Sequence, residues 1–358
     1  MALTAKAKSI ADKVNKKYGD GTIVLGTDVV VPPRITSGSL SLDVALGGGW
    51  PANQWNEIIG EESAGKTAIA LHTIAANQLL DPEYLSVWVA AEHYNDEYAA
   101  MIGVDNERVI VVNTNLMSVS YQIVIEYLES KEVDCIVIDS LPALIPDRED
   151  EKEVGETTPG LGALLTGQFF RKAGAYTKRS MDGSERPVLG LMINQYREKI
   201  GVMYGDNRTT PGGKAKNFAY WTRVEARRAE WLTEKRDGYD KPVPVGQVIA
   251  ARCIKNKSAA SQRVAFMDFY FAENDYGFYA GEFDSTKEII NVGIIFDVLQ
   301  RQGNSWFYEG EKIGSNKQTM IDTVYSTPEL KEGIEKRVLA IVSTGKYHKN
   351  TDEYDHAE

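Results

Sequence analysis

Residues 56–67 read NEIIGEESAGKT, and the organisation of the whole chain can be read outward from them. Asn56-Glu-Ile-Ile is an apolar, strand-like run. Gly60-Glu61-Glu62-Ser63-Ala64-Gly65-Lys66-Thr67 fits G-x-x-x-x-G-K-[ST], and a helical pattern over 66–80, opening with Ala68 in its first turn, follows. Glycines at the two ends let backbone N–H groups converge on phosphate oxygens. The helix brings the positive end of its dipole to the same oxygens. Lys66 is placed to reach the β- and γ-phosphates of ATP, and the Thr67 hydroxyl to bind Mg²⁺. Chance alone produces the pattern in roughly one chain in a hundred of this length. A strand before it and a helix after it make a plain glycine-rich turn a poor alternative.

Strand runs and helical runs alternate from Asn56 to about Phe271. The strands are NEIIG, LSVWVAA, RVIVVN, CIVIDS, PVLGLMIN, YWTRVEARRAEW, QVIAARCIKN and FMDFYF; the helices cover 66–80, 119–130 and 161–178. Alternation of this kind predicts an α/β domain with a mostly parallel central sheet. Uniformly apolar strands such as CIVID suit a sheet covered on both faces. The last three strands have no long helix between them and predict antiparallel additions at one edge. A P-loop needs a carboxylate at a nearby strand end to organise its metal, and Asp139, closing CIVID, supplies one; capping of the next turn is the competing role. Glu92 follows SVWVAA at the strand edge where ligands bind in parallel sheets. Its position alone fits either a water-orienting carboxylate or a solvated loop acid.

The chain has 358 residues, 43% hydrophobic and 25% charged, enough for one large core and a smaller second domain. No stretch of eighteen apolar residues occurs, so no membrane partner is expected. The N-terminal MALTAKAKSIADKVNKKYG lacks an apolar signal core, which predicts a cytoplasmic protein. The two cysteines, Cys135 and Cys253, lie in apolar strand runs and read as buried free thiols. A net charge of −11 weighs against nucleic-acid binding, but the acids concentrate at 147–156 and in the C-terminal tail, and the basic residues at 197–228.

Residues 1–18 read as a helix with Leu3, Ala7, Ile10 and Val14 on one face, docking on its own subunit or on a neighbour. A short strand over 22–26 should follow. Past residue 274 the pattern predicts a small α+β domain: a helix over 287–300, the hairpin SWFYEGEKIG, and further helices to about Val342. The expected divisions are 1–30, an N-terminal oligomerisation helix and strand; 31–273, the ATPase core; 274–345, the small domain; and 346–358, an acidic disordered tail.

The loop 197–218 is long and glycine-rich, with Gly201, Gly205, Gly212 and Gly213 giving it mobility. Arg197, Lys199, Arg208, Lys214 and Lys216 are candidate phosphate contacts. Ile200, Val202, Met203 and Tyr204 are apolar without an obvious element to support them. They fit either a tucked core or insertion between DNA bases.

With these segments in order, the chain resembles the bacterial RecA recombinases from about Gly19 to about Val342. The resemblance is carried by SGSLSLDVALGGG with GEESAGKT, by AEHYNDEYA, VIDS, INQYREKIGVMYGDNRTTPGGKAKNFA and KNKSA, and by GEKIGSNK. It implies a RecA-like P-loop ATPase core. It makes Glu92 the water-orienting residue, Tyr98 the aromatic against adenine, and Gln195 the γ-phosphate sensor beside Lys66. Asp139 becomes the metal carboxylate with Thr67. The loop after Gln195, including Thr209 and Thr210, becomes a DNA-binding loop. A first DNA loop over 153–165 leads into the helix carrying Arg171. Lys255 and Lys257, alternating on one strand, would reach a neighbour's ATP across a filament interface; exposure on an edge strand is the alternative. Single-stranded DNA, duplex DNA and further copies of the chain in a helical filament are the implied partners. Departures are the acidic run before the first loop, Pro159-Gly160 within it, Glu198 between Arg197 and Lys199, and a longer 177–187 segment, read as a surface hairpin. A ring-forming RecA-core motor and a DNA-independent ATPase are the competing classes. A ring motor is expected to carry an appended primase or linker domain, and a DNA-independent ATPase has no use for a basic, apolar-tipped loop beside a phosphate sensor.

Overall fold

The computed structural model describes residues 4–19, 22–28, 33–147, 160–177, 185–198, 208–275 and 277–343. Two compact units are present, Met1–Pro33 and Arg34–Glu358. The first is a helix, Ala5–Tyr18 (α1), whose N-terminus is capped by the Thr4 side chain; none of its residues is buried. The predicted strand over 22–26 is not formed, and the chain instead enters a 3₁₀ turn at Gly26–Asp28. The cause is Asn15. Its side chain accepts the Ile23 N–H at 2.8 Å and donates to the Ile23 carbonyl at 3.0 Å, occupying both groups that a ladder partner would use.

The second unit is built on an eight-stranded sheet. Its strands are β3 (Gln54–Gly60), β4 (Ser86–Ala90), β5 (Val109–Val112), β6 (Cys135–Asp139), β7 (Leu189–Gln195), β10 (Thr222–Glu234), β11 (Val243–Asn256) and β12 (Val264–Tyr270), in the order β12-β11-β10-β3-β7-β6-β4-β5. From β10 to β5 every neighbour is parallel, while β11 and β12 add antiparallel at the edge, as the sequence predicts. Two short ladders flank the sheet: β1 (Arg34–Ile35) with β2 (Trp50–Pro51), and β8 (Arg197–Glu198) with β9 (Arg208–Thr209).

Successive side chains of a strand face opposite layers, and the central strands use both. Cys135 and Val137 of β6, with Trp88 of β4, join the layer that holds the helix Lys66–Leu80 (α3). Ile136 and Ile138, with Val87 and Val89, join the opposite layer under the helices Met117–Ser130 and Leu161–Tyr176. Both cysteines are free and buried, and burial pushes the Cys135 thiol up to about 12 and the Cys253 thiol to about 11.

Toward the C-terminus, the helix Ser285–Ile295 is shorter than the predicted 287–300. Asp297 adopts φ 55° and Val298 N–H turns back to the Gly293 carbonyl, so residues Leu299–Gln302 leave the helix as β13. They pair with β14 (Ser305–Tyr308), which pairs with β15 (Glu311–Gly314), making the expected hairpin three-stranded. This sheet and its helices share a core with Leu40 and Val44 of the helix Leu40–Leu46 (α2). Among the described residues no helix is long and apolar enough to cross a membrane.

Candidate nucleotide site and the base of the loop after Gln195

The P-loop occupies the C-terminal end of β3, where backbone crowding explains its glycines. A Cβ on Gly60 would lie 2.1 Å from the Ala226 carbonyl oxygen. Gly65 has φ +88°, and a Cβ there would meet the Ile249 side chain at 2.4 Å. Lys66 begins α3, is buried, and donates from Nζ to the Glu61 carbonyl at 2.5 Å. Burial lowers its pKa, opposed by the charges of Asp139 and Glu92.

Three strand ends converge beside the loop. The register Ala90↔Asp139 aligns β4 with β6, and the Asp139 carbonyl accepts the Ala91 and Glu92 N–H groups at 3.0 and 3.2 Å. Thr67 Oγ1 donates to Asp139 Oδ2 at 3.1 Å. Burial, then the neighbouring Glu92 charge, raises the Asp139 pKa to about 6. Ser140 Oγ donates to Glu92 Oε1 at 2.5 Å, fixing the rotamer of that carboxylate. Gln195 ends β7 in register with Gly60, at the root of the loop. Thus Lys66, Thr67, Glu92, Asp139 and Gln195, chosen on sequence grounds from well-separated segments, come together at the C-terminal ends of adjacent interior strands. Thr67 and Asp139 offer hard oxygen donors, a set suited to Mg²⁺, which takes only one or two protein ligands.

A cavity of about 320 Å³ opens from the P-loop residues Ser63 to Ala68. Tyr98, expected against a base, lines it, and burial raises its phenol to about 12. Arg228, Trp231, Gln247, Phe269 and Phe271 line it as well, and the sequence reading missed all five. The signal that finds Arg228 and Trp231 is the pairing of β10 parallel to β3, Ala226 opposite Gly60, which carries the far half of β10 past the loop; Gln247 and Phe269 follow from the antiparallel registers Trp231↔Gln247 and Gln247↔Phe269.

Beyond Gln195 the chain enters the β8–β9 ladder, Arg197 opposite Thr209 and Glu198 opposite Arg208. Arg208 donates to Glu225 at 2.8 Å and covers the Tyr196 ring at 4.5 Å. Lys199, Ile200, Gly201, Val202, Met203, Tyr204 and Gly205 lie outside the described residues, as do 148–152 of the acidic run, 153–159 of the first loop, 178–184 of the longer segment and the tail beyond 343. Gly212 and Gly213 are close-packed rather than free. At φ +87° and +74°, their added Cβ atoms would fall 2.8 Å from Leu141 and from Ala163. A cavity of about 560 Å³ separates Arg197, Pro211 and Gly212 from Leu141, Gly160 and Ala163. Arg171 is exposed on the helix Leu161–Tyr176, and Lys214 is exposed.

Lys216 corrects the sequence reading. It is fully buried, not a phosphate contact. Nζ donates to Thr210 Oγ1 at 2.6 Å, to Asn217 Oδ1 at 3.0 Å and to Glu57 Oε1 at 3.4 Å. Buried Glu57 also accepts from Arg223 at 2.5 Å and from Asn194 at 2.8 Å, and the Asn194 side chain in turn accepts the Gln195 N–H at 3.0 Å. The base of the loop and the strand end at Gln195 therefore share one buried acid. Lys255 and Lys257 do face one way. Lys255 donates to the Asn217 and Tyr220 carbonyls at 2.5 and 2.6 Å, and Lys257 to the Phe218 carbonyl at 2.9 Å, at the end of the helix Ala215–Ala219. Burial and the adjacent Lys257 charge lower the Lys255 pKa to about 8.

A mostly parallel sheet, a G-x-x-x-x-G-K-T loop at the end of an interior strand and a Thr–Asp pair beside the lysine define a P-loop nucleotide-binding protein of the α/β class. A family model described as the RecA N-terminal domain matches residues 5–275. The chain is 34% identical over 346 residues to Protein RecA of Corynebacterium urealyticum, covering 95% of this chain and 87% of that one. It is 34% identical over 342 residues to Protein RecA of Macrococcus caseolyticus, covering 94% and 90%. Among solved structures it is similar to a RadB recombinase with TM-score 0.46 and 14% identity, over 66% of this chain and 96% of that one. The chain belongs to the RecA family, and membership implies ATP binding.

Proposed function

We propose that the chain is a cytoplasmic DNA-dependent ATPase that forms a helical filament on single-stranded DNA and, while ATP is bound, pairs that strand with a homologous duplex and exchanges strands. The observation that carries this is the position of Gln195. It ends β7 in register with Gly60 of the P-loop, two residues before the β8–β9 ladder at the base of the basic loop, so one residue lies between the segment assigned to phosphate and the segment assigned to DNA.

In the proposed reaction the Lys66 ammonium leaves the Glu61 carbonyl for the β- and γ-phosphate oxygens. Thr67 and Asp139 would hold Mg²⁺, which supplies charge neutralisation of the phosphates. Glu92, steadied by Ser140, orients the attacking water. The Gln195 amide bonds the γ-phosphate and loses that partner on hydrolysis, which makes it a two-state element. Catalysis is positioning and electrostatics, without a covalent intermediate.

Arg171, Arg197, Lys199 and Arg208 are assigned to DNA phosphates, and Ile200, Val202, Met203 and Tyr204 to bases, with Gly201, Thr209, Thr210, Gly212 and Gly213 shaping the loop. Lys255 and Lys257 would exchange their helix carbonyls for the nucleotide of a neighbouring copy. Residues 1–30 serve assembly, 31–273 catalysis and DNA binding, 274–345 the gathering of duplex, and the acidic residues of 346–358 act as a weak competitor for basic surfaces.

A strand-exchange assay with matched and unmatched duplexes, with and without ATP, tests the proposal. Joint molecules are expected only with matched duplex and ATP. Equal products from both duplexes, or none from either, would refute it.

A further inference from the structure

The cavity beside the P-loop has a second wall that phosphate binding does not use. Arg228 and Trp231 on β10 and Phe271 just past β12 form it. The Arg228 guanidinium lies 3.9 Å from the centroid of the Trp231 ring. Trp231 and Phe271 meet edge to face, with centroids 6.1 Å apart and planes at 87°. Yet the indole stays 47% exposed and the Phe271 ring 39%. Two large aromatic side chains are thus held in a defined geometry and left partly uncovered at a cavity. That arrangement suits a planar ligand that completes the stack.

Position says which part of a ligand reaches them. The N–H groups and ammonium of Gly65 and Lys66 fix the phosphates at one end. A nucleotide's base must then extend toward the other lining groups, which are Tyr98, Gln247, Phe269 and this wall, and of these Trp231 and Phe271 are the aromatic rings left most exposed. We infer that Arg228, Trp231 and Phe271 are the nucleoside-binding wall of the site: Trp231 and Phe271 contact the heteroaromatic base, and Arg228, over the indole, holds Trp231 in place and puts positive charge beside the base's acceptor atoms. This rests on the nucleotide reading of the P-loop, but not on any DNA activity.

Calorimetric titration of the full-length protein without DNA separates the two ends of the cavity, using ADP as one probe and inorganic pyrophosphate as the other. Trp231→Ala is expected to weaken ADP about tenfold, the order of one base–aromatic stack, and to leave pyrophosphate unchanged. Trp231→Phe should restore most of the loss. In steady state, Trp231→Ala should raise KM for ATP with kcat held, the pattern of a uniform binding contact. Indole emission should respond to ADP in the wild type and not in Trp231→Phe. An unchanged ADP affinity, or an equal loss for both probes, overturns the wall. A wild-type protein that binds neither probe overturns the nucleotide reading beneath it.

Discussion

Lys66 and Lys216 are both lysines buried in the core, and the fold treats them in opposite ways. Among the described residues the Lys66 ammonium donates to a single acceptor, a loop carbonyl, with the carboxylates of Asp139 and Glu92 nearby. Lys216 places all three of its N–H groups on acceptors of its own unit, Thr210, Asn217 and Glu57. A buried cation with spare donors at a strand edge is equipped to take a ligand. A buried cation with every donor matched is equipped to hold a loop in place. Composition counts the two alike, and position in a basic loop made Lys216 look like the DNA contact.

Substitution should pull them apart. The largest expected effect is on Lys66: Lys66→Ala should cut ATP turnover by at least about a hundredfold while the thermal midpoint stays close to wild type. Residual turnover near the wild-type rate would remove Lys66 from the chemistry. Lys216→Met should do the reverse, costing about 3 kcal/mol of stability by denaturant titration, because it strips a partner from a buried carboxylate. Glu57→Gln in the same chain should recover part of that loss, since the two share one network. If Lys216→Met instead left stability untouched and flattened the salt dependence of single-strand binding, the contrast would be broken and Lys216 would be a phosphate contact after all.

A buried acid sharpens the comparison at smaller scale. Glu288 accepts from Ser39 Oγ at 2.6 Å and from Ser41 N–H and Oγ at 3.3 and 3.2 Å, so neutral donors meet it where a cation meets Glu57. Burial raises its pKa from 4.5 to about 8. The folded state thus binds this proton more tightly than the unfolded state. The stability it contributes is full below about pH 4.5 and is lost as pH rises through about 8. Glu288→Gln should flatten the stability–pH curve across that window. Parallel curves for the variant and the wild type would mean that the group ionises as easily folded as unfolded.

Legibility in the sequence followed from how local each determinant was. The helix Lys66–Leu80 was read to its ends because motif, dipole and apolar face coincide there. The central strands were legible from unbroken apolar runs, and the antiparallel edge from the lack of helices between its strands. What failed depended on distant partners. Asn15 reaching Ile23 cancels a strand that residues 22–26 suggest by composition. A left-handed Asp297 ends a helix whose apolar pattern runs on. Lys255 and Lys257 were placed on one face correctly, but their carbonyl partners at 217–220 come from another segment. Trp231 needed the β10–β3 register, and Phe271 the β10–β11–β12 registers as well, before either could be seen beside the P-loop.

The central claim is that nucleotide state at Lys66 and grip on a DNA strand are linked through Gln195. The most direct test is the rate of ATP hydrolysis by the purified protein with and without single-stranded DNA, read alongside assembly on that strand. The rate is expected to rise severalfold with DNA, together with helical polymers. Identical rates in the two conditions, with no polymer formed, would contradict it.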